Sequence, residues 1–117
     1  MSVQDLEIKR DYAIQAFRLY AENGADINTD DFLLWLDCQA VSMMLSVLHD
    51  EGKTSVIDAL KFVYFYKPAE KLRKNDIEYR VLRFASEKYV DRVTVYRWLS
   101  YGVRLFMAVR FHDKKTP

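Results

Sequence analysis

At 117 residues, half of them apolar and 15% aromatic, the chain has the material for one packed core and too little length for two. That balance marks a globular rather than a disordered sequence, and a single cysteine, Cys38, excludes an internal disulfide or a Cys-rich zinc site. The net charge of +1 hides a polarity: residues 1–70 carry six Lys/Arg against twelve Asp/Glu, whereas residues 71–117 carry twelve against five.

Three glycines and two prolines leave long uninterrupted periodic stretches, which predicts an all-α fold, a compact bundle of about five helices. A first helix is expected from about Val3 to Glu22, with Leu6, Tyr12 or Ala13, Ala16, Phe17, Leu19 and Tyr20 on its inner face. Asn23-Gly24 supplies a left-handed stop. Thr29 or Asp30 then caps a second helix reaching His49. Residues 30–49 are apolar nearly all round, which suits the central helix of the bundle or a face shared with a second copy in a homodimer. Cys38 falls inside this run and reads as a buried, inert thiol.

After the turn Asp50-Glu-Gly-Lys53, Thr54 or Ser55 is expected to cap a third helix from about Val56 to Phe65. The run Phe62-Val-Tyr-Phe-Tyr66 has the composition of a strand, the main rival reading, but it follows a capped periodic segment. Lys67-Pro68 stops it. A basic connection follows, and Asn75 or Asp76 caps a fourth helix from Ile77 to Tyr89 with Val81, Leu82, Phe84 and Ala85 inward. A fifth helix runs from Arg92 to about Val109, ahead of a short polar tail.

The last two helices meet the demands of a helix-turn-helix. The first helix of that motif needs a small residue where the second crosses it, and Ala85 is that residue. The turn needs an apolar plug, Val90, and the second helix an N-cap, Asp91. Val95 and Trp98 lie four and seven residues beyond the cap and share a buried face, with Leu99 widening it. Tyr89 stands where glycine is usual, so its φ is positive or the turn is longer and more open. A continuous helix through Tyr89 would exclude the motif. With this register, the outer face of the fifth helix carries Arg92, Thr94, Tyr96, Arg97, Tyr101 and Arg104. Arginines near the start of a recognition helix pair with guanine edges, and Thr94 and Tyr96 suit phosphate or thymine-methyl contacts. Arg80, Arg83 and Lys88 on the preceding helix are expected near the flanking phosphates.

Thr94 to Phe106, TVYRWL followed by SYGVRLF, resembles the ArpU- and RinA-like regulators of late genes in Gram-positive phages and prophages. These are similar in turn to the fourth region of sigma factors, where a helix-turn-helix closes a helical domain. The resemblance covers about residues 75–110 and implies sequence-specific binding of double-stranded DNA, with contacts on Arg92, Thr94, Tyr96 and Arg97.

Other chemistry lacks the residues it needs. His49 beside Asp50 and Glu51 ends a helix, where three adjacent side chains cannot converge on one metal ion, and His112-Asp113 belongs to the tail. There is no glycine-rich phosphate loop and no nucleophile with a recognisable base, so neither an enzyme nor a cofactor is expected. Neither a basic-then-apolar N-terminal segment nor an apolar run near ~18 residues is expected, which points to a cytoplasmic protein without a membrane segment. The competing reading is a helical protein-interaction module with no nucleic-acid role, using the apolar second helix and the acidic half.

Overall fold

The computed structural model describes residues 3–111, with side chains from Asp5 onward, and among these it is all-helical. The helices are α1 (Val3–Asn23), α2 (Phe32–Asp50), α3 (Thr54–Leu60), α4 (Lys74–Lys88) and α5 (Arg92–Phe111). A π-helical turn, Lys61–Phe65, prolongs α3. The expected tail with His112 and Asp113 lies outside the described residues.

The local signals act as short-range chemistry requires, at slightly shifted positions. Gly24 closes α1 at φ +74°, and its N–H donates to the Tyr20 carbonyl at 2.6 Å. The cap of α2 is Asp31 rather than Thr29 or Asp30. Its Oδ1 accepts from the N–H groups of Leu33 (2.9 Å) and Leu34 (3.4 Å), while Thr29 Oγ1 accepts from Asp31 N–H. Thr54 is already helical, so α3 begins after Lys53 with no side-chain cap. In α4, Asp76 is not the cap; it sits one turn in, and its Oδ2 accepts from Arg73 N–H at 2.9 Å, which moves the helix start back to Lys74.

The aromatic run at residues 62–66 is helical and not a strand, but its turn is widened. Val63 and Tyr64 are buried. Phe62 meets Phe84 of α4 (centroids 5.4 Å), and Phe65 meets Phe17 of α1 (5.6 Å). Two arginines hold the end of this turn. Arg18 of α1 donates through Nη1 to the carbonyls of Tyr64 (2.8 Å) and Tyr66 (3.4 Å), and through Nη2 to those of Lys67 (2.7 Å) and Glu70. Arg80 of α4 donates to the carbonyls of Val63 (2.8 Å) and Tyr66 (3.1 Å). A helix end presents unpaired carbonyls, and guanidinium groups satisfy them in bond and in charge. Burial, followed by the nearby Arg80 charge, pulls the Arg18 pKa below its usual value.

The centre of the bundle is α5, not α2. It packs against α1, α2, α3 and α4, while α4 leans mainly on α5 and the π-turn. Val95, Leu99, Gly102, Val103 and Phe106 face inward. At Gly102 the helix passes so close to α3 that a Cβ would fall 2.7 Å from Leu60 Cδ1. From α2, one face with Cys38, Val41, Met44 and Leu48 enters the core. Phe32, Leu33 and Met43 remain more than half exposed. By length and composition α2 would suffice to cross a membrane, with a mean hydropathy of 1.4, contrary to the expectation that no such run exists. In the fold its Asp37 is buried instead: Oδ1 accepts from Arg110 Nε of α5 (2.7 Å) and from the Tyr12 hydroxyl of α1 (2.6 Å). One network therefore ties three helices. Leu6 of α1 and Leu82 of α4, both expected inward, are 55% and 48% exposed.

Candidate nucleic-acid interface

The α4–α5 junction decides whether a recognition helix exists. Tyr89 ends α4 at φ 57°, ψ 41°, the left-handed conformation that favours glycine. Val90 N–H donates to the Ala85 carbonyl (3.1 Å) and Tyr89 N–H to the Ser86 carbonyl (3.4 Å). That pair of bonds is a Schellman motif, whose accompanying apolar contact is supplied by half-buried Val90 and buried Ala85. Asp91 Oδ1 then accepts from Thr94 N–H at 2.8 Å, starting α5. This bond holds the Asp91 carboxyl below its usual pKa, with the Arg97 charge adding to it. The turn therefore closes in three residues, Tyr89 to Asp91, and the chain changes direction between two helices. Behind it, Val95 and Leu99 are buried, and Trp98 is half-buried edge-on to Phe84 (6.4 Å, 83°).

Because α5 is the hub, only a stripe of it faces outward. Val93, Arg97, Ser100 and Arg104 recur at spacings of four, three and four and are all exposed; Arg92 and Tyr96 flank them. Thr94 and Tyr101 are half-buried. Val93 and Ser100 belong to the stripe but are absent from the site read in the sequence; strict helical bookkeeping from the buried Val95 and Leu99 would have found them.

The six basic side chains expected at the interface divide into three groups. Arg92, Arg97 and Arg104 are exposed, and among the described residues none is in an ion pair. Arg83 and Lys88 are exposed on α4, with Arg83 Nε 3.4 Å from Glu87 Oε1 and Lys88 Nζ 5.7 Å from the Phe84 ring centroid. Arg80 departs from expectation: its guanidinium is turned to the chain's own carbonyls and stacks over Tyr66, because the π-turn ends where α4 passes.

Two hollows flank α5. One, of about 640 Å³, lies toward α1 and is lined by Tyr96 and Ser100 with Arg10, Arg18, Tyr64 and Lys71 among its other walls. Acidic Asp11, Glu70 and Glu78 line it as well, so its charges nearly balance. Burial pushes the Tyr64 phenol up to about 12. The other, of about 560 Å³, lies between α5 and the turn joining α2 to α3, with Arg97, Tyr101 and Arg104 on the α5 side.

Among the described residues no group of three or more His, Cys, Asp or Glu is placed to hold a metal ion. His49 Nδ1 lies 3.7 Å from Asp50 Oδ1 in an exposed pair at the end of α2. Cys38 is fully buried, and burial, with Asp37 beside it, raises its thiol pKa, which suppresses the reactive thiolate. Compared with protein-family models, with curated proteins and with solved structures, the chain matches none significantly.

Proposed function

We propose that this protein is a sequence-specific, double-stranded-DNA-binding transcriptional regulator of phage or prophage type, acting in the cytoplasm without enzymatic activity. The observation that carries the reading is the junction at Tyr89. A left-handed residue, an apolar plug and an Asp cap turn α4 into α5 within three residues, and the outer stripe of α5 beyond it is basic. Arg97, and Arg92 at the helix start, would reach base edges in the major groove. Arg83 and Lys88 would lie toward the flanking phosphates, whereas Arg80 holds the fold. Selection of duplexes from a randomised pool, followed by titration of the enriched sequence, tests this reading: one enriched motif supports it, and an unenriched pool sinks it.

A second copy is proposed as the partner of α2, whose exposed Phe32, Leu33 and Met43 are more apolar than a solvated face requires. The rings of Phe32 and Trp35 stack at 5.8 Å there. The same observation favours the competing reading, a protein-interaction module with no nucleic-acid role. Sedimentation of the purified chain separates the two: a dimer dispersed by Leu33→Glu assigns the face to a second copy, and a monomer leaves it to another protein.

A further inference from the structure

The hollow between α5 and the α2–α3 turn brings the acidic half of the chain to the basic helix, and it does so with a cation. Lys53, the last residue of that turn, places its Nζ 4.5 Å from the centroid of the Tyr101 ring of α5. Around it stand Arg97 and Arg104 from α5 and Ser55 from α3, with Trp98 among the walls, and among the described residues no carboxylate lines the hollow. Of the two acids in that turn, Asp50 lines a different surface with His49 and Lys61, and Glu51 is exposed and outside the lining of this hollow. Three cations on one concave wall attract a polyanion, with Asp91 offsetting part of the Arg97 charge and no acid lining the hollow beside Lys53 and Arg104. Ser55 adds a hydroxyl that can donate to an anionic oxygen. Arg97 and Arg104 are seven residues apart, about 10 Å along the helix, which spans roughly three base-pair steps of one DNA strand.

We infer that this hollow is a backbone-phosphate clamp, in which Lys53, Ser55 and Arg104 grip the DNA strand bordering the groove that α5 enters. The inference rests on the DNA-binding reading above and extends the interface to a turn in the acidic half. Lys53 and Arg104 thereby act on affinity without reading sequence, whereas Arg97 sits at the border between phosphate and base contacts.

The test titrates a mixed-sequence duplex of about two helical turns (~21 bp) with wild type, Lys53→Gln, Arg104→Gln, the double variant and Lys53→Arg, from about 50 to 200 mM salt. Each lost phosphate contact lowers the slope of log K against log salt by about 0.9. The single glutamine variants should therefore each lose about 0.9 of slope and the double variant about 1.8, while Lys53→Arg keeps the wild-type value. Thermal melting of each variant confirms the fold. Wild-type slopes in Lys53→Gln and Arg104→Gln would overturn the clamp and leave the helix-turn-helix reading standing. Absence of wild-type binding at the lowest salt would overturn both.

Discussion

Replacing Tyr89 by glycine should stabilise this protein, an unusual outcome for removing an aromatic side chain. Tyr89 is 95% exposed, so truncating it forfeits almost no buried surface. Its φ of 57° forces a Cβ into the left-handed region, which costs about 1–2 kcal/mol. Glycine removes that penalty but gains freedom in the unfolded chain, an offset of about 0.4–1 kcal/mol. The net gain is about 0.5–1 kcal/mol, or a rise of roughly 4 °C in Tm. Urea titration reads it as a higher midpoint at unchanged m value. Tyr89→Ala separates the causes: it removes the ring and keeps the Cβ, and should stay within about 0.5 kcal/mol of wild type. A destabilised Tyr89→Gly, or an alanine variant as stable as the glycine one, would refute the reasoning.

The remaining predictions concern the groups that hold the helices in place. Asp37→Ala leaves Arg110 without its carboxylate in a site where both side chains are only 10% exposed, and should cost about 3 kcal/mol by urea titration. Adding Arg110→Met should recover part of that loss, and strict additivity would show the pair is not coupled. Arg18→Ala abandons four carbonyls at the end of the π-turn and should lower stability by about 2–3 kcal/mol. Arg18→Lys should restore little of it, since an ammonium lacks the two-pronged reach; full rescue would argue for charge alone. Tyr64 titrates near 12 when folded against 10.0 in its usual state, so the unfolded chain loses that proton first. Stability should therefore fall as pH rises from about 10 to 12, by on the order of 2–3 kcal/mol, and Tyr64→Phe should abolish that share of the fall.

Features set by a residue and its nearest neighbours were legible in the sequence. The stop at Gly24, the plug at Val90, the cap at Asp91 and the two possible outcomes at Tyr89 each follow from one side chain's chemistry. Cap positions slipped by one to three residues because Thr29, Asp30 and Asp31 offer the same oxygen, and only packing selects among them. What depends on distant partners was not legible. Arg80 looks like any basic residue on a surface helix until the π-turn ends against it. A stretch as apolar as α2 reads as the hub, yet Gly102 lets α5 approach Leu60 closely and sit at the centre instead. Lys53 belongs by sequence to an acidic half; only the fold brings it to Tyr101.

The central claim is that the outer stripe of α5 meets DNA, and a titration of duplex DNA at two salt concentrations with wild type and Arg97→Ala tests it most directly. On this account Arg83, Lys88, Arg104 and Lys53 would supply about four phosphate contacts, a slope near −3.6, and an affinity loss on the order of 150-fold between about 50 and 200 mM salt. On a selected operator, Arg97→Ala should cost a further ~1–3 kcal/mol and relax discrimination at one base pair. Binding that ignores salt, or an Arg97→Ala variant indistinguishable from wild type on that operator, would contradict the account.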